Sequence, residues 1–404
     1  MIRHASVLAI VFICACSSDP SSALLDLPGA RNAALRDAAA ANDLPVEWLA
    51  AVAYQQGRFE PADRTTDDAV ADPIDPADQL LDDVSLDDVT DPPIVEDNAA
   101  PGDHELPDAF GVMYLSDAQI TDAAALTGFT ADALRTDLAT NIAGAAALLG
   151  AERDAAAGDL RVATANFLGF VDDLDAGQLA LVDIDETLRD GFDLTTTDGE
   201  RLVLEGADPQ PDPTERVAPG KYPARQFIPS PNFSSRLGLN VRFIVVHDIE
   251  GTQAGAIAVF KKVSSQASAH YITRASDGHI VQMVREGNNA WHAGHAWFNR
   301  HSVGIEHEGF AFRKNGGGFY TDRQYRASAR LACAIAHRYG IPVNRKHIFG
   351  HMNVPSNLSS HTLCSDARGI AGQCGGFSHH ADPGRFWNWT KYMTLIRSCV
   401  AAAG

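Results

Sequence analysis

The spacing of apolar residues changes near the middle of the chain. Before residue 205, apolar positions recur three or four residues apart in several long segments, which is the period of an amphipathic helix. After residue 221, short β-branched runs alternate with helical segments. These patterns predict a mostly helical unit over residues 28–205, followed by an α/β unit over residues 221–404.

The elements of both units can be placed approximately. Helical periodicity covers 31–56, 118–126, 131–155 and 160–170 in the first unit, and 254–263, 322–339 and 387–399 in the second. Strand-like runs cover 241–246, 270–273, 280–284, 302–306 and 347–350. Thr321 is a good N-cap and Gly340 a good terminator for the helix between them. Strands that alternate with helices predict a central β-sheet flanked by helices.

Two stretches lack either pattern. Residues 61–107 are rich in Asp and Pro and poor in aromatic residues, so they cannot bury enough surface to offset their ordering entropy. We expect a disordered or solvated insertion there. Four prolines, at 209, 211, 213 and 219, predict a linker over residues 206–220.

The charge of the chain is divided between the two units. The protein has 404 residues and a net charge of −20, yet the residues from Lys221 onward carry 21 Lys and Arg against 9 Asp and Glu. Opposite charges on two units indicate different partners. The basic half carries no aromatic-interleaved Arg/Lys motif, so an anionic cell wall suits it better than nucleic acid.

The N-terminus has the pattern of an export signal. A short polar start precedes an apolar run that is too short to span a bilayer, and the run ends in Ile13-Cys14-Ala15-Cys16-Ser17. This end resembles a bacterial lipobox, which implies that residues 1–16 form a lipoprotein-type signal and that Cys16 carries the lipid. The alternative is a plain secretory signal. We expect an exported protein of the cell envelope, anchored to a membrane at Cys16 only and facing the periplasm or cell surface.

Four cysteines remain after the signal, and an even number in an exported chain favours two disulfides. Four cysteines allow three pairings. Cys364 and Cys374 are close in sequence across a Gly-rich turn, so we favour their pairing and that of Cys333 with Cys399. A structural zinc site is the alternative, but the chain lacks the C-x-x-C spacing typical of one.

Chemistry concentrates in the second unit, which holds thirteen of the fifteen histidines. A strand ends in His247-Asp248, and Gly350-His351-Met352-Asn353-Val354-Pro355 and His380-Ala381-Asp382-Pro383-Gly384 follow much later. Between them come Ser268-Ala269-His270-Tyr271, Asp277-Gly278, Ala290-Trp291-His292-Ala293-Gly294 and Gly304-Ile305-Glu306. In this order, the seven motifs resemble the zinc amidases that include N-acetylmuramoyl-L-alanine amidases and peptidoglycan recognition proteins.

The resemblance implies a central mixed sheet, one zinc ion and hydrolysis of the bond between N-acetylmuramic acid and L-alanine in peptidoglycan. It places the zinc ligands at His247, His351 and Asp382, with one position left open for water. His351 and Asp382 are 31 residues apart, farther than is usual in the family, so Asp366 is a rival ligand. Recognition proteins of this fold often lose a ligand and only bind, which makes a non-catalytic binding protein the second hypothesis.

The same resemblance assigns the remaining site residues. Glu306 would be the catalytic acid and base, with Glu308 as its competitor on the same strand. His380 would stabilise the oxyanion. His270, Trp291 and His292 would contact sugar or peptide, although Trp291 could equally belong to the core. Nothing in the sequence indicates an oligomeric state.

The first unit shows a weaker resemblance. Residues 48–59, with 111–115, 141–145 and 163–167, are similar to lysozyme-like lytic transglycosylases. Gln56 stands where those enzymes have their catalytic Glu, and an amide cannot protonate a glycosidic oxygen. The resemblance implies a glycan-binding domain without lytic activity. An unrelated helical domain is the alternative.

Overall fold

The structure is a computed structural model that describes residues 27–61, 75–86, 109–169, 174–207, 222–223, 225–370 and 381–403. The predicted signal with Cys16, most of the predicted linker, and Cys374 and His380 lie outside these residues. Within the described ranges, every helix is too short or too polar to cross a bilayer.

The described residues of the first unit form seven α-helices, and local capping explains where several of them begin. Ser116 and Gln119 form a capping box at the third helix, and Asp137 caps the fifth by accepting from Thr140 N. The helices are α1 (Ala30–Ala41), α2 (Val46–Gly57), α3 (Asp117–Thr127), α4 (Ala131–Thr136), α5 (Leu138–Ala155), α6 (Leu160–Phe167) and α7 (Leu174–Asp190).

The predicted helices of this unit are confirmed, whereas α7 and the hairpin that follows it were not predicted. The short strands are β1 (Val84–Ser85), β2 (Ala109–Phe110), β3 (Leu115–Ser116), β4 (Gly191–Thr195) and β5 (Arg201–Glu205). The core packs around α5, with Leu35 of α1, Leu49 of α2 and Ile142 of α5 all fully buried. Leu202 and Leu204 bring the β4–β5 hairpin into the same core.

The second unit is a sheet with helices on both faces. Its strands are β6 (Gln226–Phe227), β7 (Phe233–Ser235), β8 (Phe243–Val246), β9 (Tyr271–Thr273), β10 (Ile280–Gln282), β11 (Asn288–Ala290), β12 (Ser302–His307), β13 (Ile348–Gly350) and β14 (Thr362–Leu363). Its helices are α8 (Gln253–Phe260), α9 (Ala296–His301), α10 (Asp322–Tyr339), α11 (Asp366–Ile370) and α12 (Trp389–Ala403).

Six strands form a mixed sheet in the order β13-β8-β12-β9-β10-β6, as the α/β prediction requires. The strands β13, β8 and β12 are parallel neighbours. Because the carboxyl ends of parallel neighbours meet at one edge of a sheet, side chains that end these strands are brought together. That edge carries the functional site.

The two faces of the sheet are covered differently. On one face α10 and α12 pack against buried Tyr271, Ile305 and Trp387, and the predicted Cys333–Cys399 disulfide joins these two helices. On the other face α8 packs together with α7, so a helix of the first unit contributes to the core of the second. Cys364 is disulfide-bonded as well, but Cys374, the partner predicted for it, lies outside the described residues.

Part of the acidic insertion is ordered, which corrects the expectation for residues 61–107. Residues 75–86 lie against the α/β unit, where β1 pairs antiparallel with β14. Leu80 and Leu86 are buried among Phe243, Phe349 and Leu363. Burial of these apolar residues offsets the entropy lost when residues 75–86 become ordered. The composition of residues 61–107 as a whole does not reveal this local effect.

Candidate active site

Three predicted ligand side chains meet at the strand edge described above. His247 directly follows β8 and His351 directly follows β13, while Asp382 comes from a later loop. The Nδ1 of His351 lies 2.9 Å from Asp382 Oδ1, and the Nδ1 of His247 lies 3.2 Å from Asp382 Oδ2. One ligand atom from each of the three residues lies within 4.8 Å of the other two. The structure therefore brings together all three residues, although 135 positions separate the first from the last.

The loop that carries Asp382 is held by hydrogen bonds to both neighbouring strands. Met352 N donates to the carbonyl of Asp382 over 2.8 Å, and Asp248 N donates to Asp382 Oδ2 over 3.3 Å. Tyr320 Oη donates to Asp248 Oδ2 over 2.7 Å and to the Pro383 carbonyl over 2.9 Å. Tyr320 was not singled out in the sequence. It lies 63 residues before Pro383, in a segment without a motif, so no local signal could have found it.

The electrostatics suit a cation. Burial acts to raise the pKa of the Asp382 carboxyl, but the two histidines outweigh it and hold the pKa well below the usual range. Ligands about 2.0–2.1 Å from a tetrahedral zinc are separated from one another by roughly 3.3 Å. The separations of 2.9 and 3.2 Å, which run to the two different oxygens of Asp382, are close to that value. The donor set of two imidazoles and one ionised carboxylate therefore fits zinc.

A buried chain of hydrogen bonds lies behind His247. Its Nε2 is 2.9 Å from His292 Nδ1, and His292 Nε2 is 3.1 Å from Ser302 Oγ. The Ser302 hydroxyl donates to the Phe298 carbonyl over 2.6 Å. If His247 binds a metal through Nδ1, its proton is on Nε2 and is donated to His292 Nδ1. His292 Nε2 then donates to Ser302 Oγ, so each hydrogen bond in the chain has one donor and one acceptor. Burial lowers the pKa of His292 well below the usual range, which keeps it neutral as this chain requires.

Two of the three predicted substrate contacts, His270 and His292, are buried and have partners within the protein. His292 lies behind a predicted ligand, and His270 is fully buried, with Arg236 Nη2 2.9 Å from its Nε2 and Gly304 N donating to its Nδ1. Contact of these two histidines with sugar or peptide stays a prediction. Trp291 is half-buried, with its Nε1 donating to Ser234 Oγ over 3.3 Å, so it can still contact a substrate.

Glu306 lies in β12, the strand next to β8. Its side chain is buried, and its Oε2 has no hydrogen-bond partner in the described part of the chain. Burial, followed by the nearby carboxylates Asp382 and Asp248, raises the pKa of Glu306 well above its ordinary value. A buried carboxyl oxygen without a partner, close to a cation site, is a candidate for proton transfer.

The two rival carboxylates have other partners. Glu308 accepts from Gln253 N over 3.1 Å and from Ala275 N over 2.7 Å, so both of its oxygens are used. Asp366 is buried and pairs with Arg345 Nη2 at 3.0 Å. Neither belongs to the cluster, and the long segment between His351 and Asp382 leaves the ligand set intact. His380, the predicted oxyanion stabiliser, lies outside the described residues.

Comparison with known proteins shows the family to which the second unit is similar. A family model described as N-acetylmuramoyl-L-alanine amidase matches residues 237–385. N-acetylmuramoyl-L-alanine amidase A from Achromobacter lyticus is 36% identical over 154 residues, which cover 38% of this chain and 81% of that protein.

Two solved structures are also similar. A selenomethionine derivative of AmpD is 26% identical, with 45% of this chain and 98% of that chain covered and a TM-score of 0.33. The Staphylococcus aureus hydrolase AmiA, in complex with its ligand, is 18% identical, with 45% and 84% covered and a TM-score of 0.33.

Proposed function

The chain belongs to the N-acetylmuramoyl-L-alanine amidase family, and we propose that it acts with one zinc ion held by His247, His351 and Asp382. It hydrolyses the amide bond between N-acetylmuramic acid and L-alanine in peptidoglycan. The observation that carries the zinc proposal is the convergence of these three side chains at one sheet edge. When bound there, zinc lowers the pKa of water and polarises the scissile carbonyl.

The protein supplies the proton transfers. Glu306 takes a proton from the attacking water as the water oxygen bonds to the lactyl carbonyl carbon, and it then gives that proton to the leaving nitrogen of L-alanine. The C–N bond breaks, and the products are a lactyl carboxylate and a free amino terminus. The free Oε2 of Glu306 supports this role, because no described group competes for it. We assign the oxyanion contact to His380 on its motif alone.

A binding protein without catalysis remains the second candidate, but no observation favours it. Such proteins often lack a ligand, whereas this chain has His247, His351 and Asp382 together, with Glu306 in the neighbouring strand.

The proposal is tested by incubating the purified protein with peptidoglycan and identifying the new chain ends. We expect free L-alanine amino termini, no new reducing sugar ends, loss of activity on complete chelation and recovery on addition of zinc. Undiminished activity after complete metal removal would contradict the metal proposal. Binding to peptidoglycan without new amino termini would instead support the non-catalytic alternative.

Two further proposals rest on sequence motifs. The lipobox-like end of the signal supports lipid on Cys16, and intact mass measurement of the envelope form tests it, because an unmodified Cys16 would exclude the anchor. The resemblance to lytic transglycosylases supports a lysozyme-like helical unit without lytic activity. New reducing ends released from peptidoglycan by the Glu306→Gln protein would contradict that inactivity.

A further inference from the structure

A cleft of about 1020 Å³ lies between the helical unit and the α/β unit. The helical unit contributes the end of α2, the loop around Phe110 and the end of α6, and the α/β unit contributes α8 and two loops. These two loops carry Glu250 and Phe310, and they directly follow the strands that place His247 and Glu306. The cleft therefore adjoins the candidate catalytic centre but contains none of its residues.

The two walls are fixed relative to each other by reciprocal arginine contacts. Arg58 of the helical unit lies between the rings of Tyr54 and Phe319, with its guanidinium carbon 3.8 and 3.9 Å from their centroids. Arg313 of the α/β unit donates to the Pro61 carbonyl over 2.5 Å and lies 4.3 Å from the ring of Phe310. Stacked guanidinium groups of this kind stabilise a contact by about 0.5–2 kcal/mol each. The cleft is thus formed before any ligand binds, as is usual for small-molecule sites.

The lining combines aromatic rings with neutral amides. Phe110 and Phe312 are half-exposed and line the cleft from opposite units, and Gln56, Gln119 and Asn166 line it as well. Gln119 donates to the Phe167 carbonyl and Asn166 donates to Glu152, whereas the Gln56 side chain makes no hydrogen bond to the described residues. Flat rings match the apolar face of a sugar, and amides can donate to and accept from hydroxyl and acetamido groups.

The charges around the cleft argue against a strongly charged ligand. Arg135 pairs with Asp117 at 2.7 Å, Asp183 pairs with Arg274 at 3.1 Å, and Arg313 is used by the Pro61 carbonyl. The remaining charged residues of the lining are Asp122, Glu152 and Glu250 against Lys262, a small negative balance that disfavours an anionic ligand. Pockets for single small molecules have volumes of roughly 300–1,000 Å³, so this cleft has room for several linked sugars.

We propose that this cleft binds an uncharged oligosaccharide segment of the glycan backbone without cutting it, and so holds the polymer beside the amidase centre. The ligand class rests on the proposed function, because the glycan backbone carries the bond that the centre cuts. A contact that persists along the polymer raises the local concentration of that bond. The enzyme would accordingly prefer polymeric peptidoglycan to small muramyl peptides.

Binding is measured first, on the full chain with Glu306→Gln, with a probe that lacks the bond the amidase cuts. The probe is chitotetraose, an uncharged tetramer of β-1,4-linked N-acetylglucosamine, titrated by calorimetry. We expect saturable binding that Phe312→Ala weakens about ten-fold, the effect of losing one ring contact together with its buried area. Gln56→Ala is the second variant, in case Phe312→Ala folds poorly. Phe227→Ala is the control, because Phe227 is 42% exposed and lies outside the cleft.

Activity is then compared with Glu306 intact. We expect Phe312→Ala to lower kcat/KM on insoluble peptidoglycan by about five-fold or more while leaving a small soluble muramyl peptide unaffected. An active amidase that does not bind chitotetraose would overturn the cleft proposal and leave the proposed function standing. Saturable binding of chitotetraose by a protein that has no amidase activity would support the cleft proposal and overturn the proposed function. Binding of the free stem peptide in place of chitotetraose would also overturn the cleft proposal.

Discussion

Glu306 and Glu308 show how hydrogen bonds divide the roles of two buried carboxylates. They are two residues apart at the end of one strand, and both have a raised pKa for which burial is the largest cause. The carboxylate of Glu308 accepts two backbone N–H groups, whereas Glu306 keeps one oxygen without a partner. Only Glu306 can therefore exchange a proton with a substrate without breaking existing contacts.

Glu306→Gln should retain zinc and lose turnover by about 100-fold or more, which is the usual scale for a lost general base. Gln has nearly the same size, so the fold should be unchanged. Metal content and kcat are measured on the same preparation. Glu308→Gln is the matched comparison, and we expect it to affect stability more than kcat. A fast Glu306→Gln enzyme beside an inactive Glu308→Gln enzyme would move the role to Glu308.

His292 should act as a positioning residue for the metal. Because His247 Nε2 and His292 Nδ1 are 2.9 Å apart, His292→Leu removes the acceptor that orients His247. Losses of outer-shell partners of this kind typically lower metal affinity about 10–100-fold. His292→Gln retains an acceptor and should recover part of the affinity.

Zinc affinity of these variants is measured by competition with a chelator. His337→Ala, on the exposed side of α10, is the control and should match the wild type. Wild-type affinity in His292→Leu would show that the hydrogen-bond chain does not support the ligand.

Motifs located the proposed ligands but not their surroundings. The sequence could place four residues because each belongs to a short motif, and the motifs follow one another in a fixed order along the strands. These residues are His247, His351, Asp382 and Glu306. His270 and His292 belong to equally clear motifs, yet their burial depends on which strand face each occupies, and residue type does not reveal that. For this reason the sequence could not show that both side chains are buried.

At the scale of elements, residues 75–86 act as part of the α/β fold. Leu80 is 5% exposed and packs against the sheet, whereas its neighbour Leu81 is 60% exposed. Leu80→Ala should lower the free energy of unfolding by about 2–5 kcal/mol. Leu81→Ala should change it by less than about 0.5 kcal/mol. Urea unfolding of both variants measures the difference, and equal stability would mean that this segment does not support the fold.

Elements with strong local signals were predictable, and elements made by pairing were not. The helix α10 begins after its Thr321 cap and ends at Gly340, as its sequence predicts. By contrast β1, β6 and β14 have two residues each, and they exist because a partner strand supplies their hydrogen bonds. A run of two residues carries no periodicity, so a sequence pattern cannot detect it.

At the scale of the whole molecule, some acidic residues of the first half form ion pairs with arginines of the second half. Asp183 and Glu186 of α7 contact Arg274, Asp78 contacts Arg397, and Asp83 contacts Arg368. The acidic half and the basic half were expected to have different partners. In these contacts each half is the partner of the other, which orients the helical unit on the α/β unit.

The Arg274 contact gives the sharpest test of this coupling. Its side chain is 3% exposed, and that of Asp183, 3.1 Å away, is 4% exposed. Arg274 also lies 3.4 Å from Glu186, so its removal takes away the cation that two neighbouring carboxyls share. Arg274→Ala should therefore cost about 3–5 kcal/mol, whereas Arg326→Ala, which breaks only an exposed pair with Asp322, should cost about 0–1 kcal/mol. Thermal unfolding followed by circular dichroism should show one transition in the wild type and Arg326→Ala, but two in Arg274→Ala, because the units no longer unfold together. A single, unshifted transition in Arg274→Ala would mean that the buried pair does not couple them.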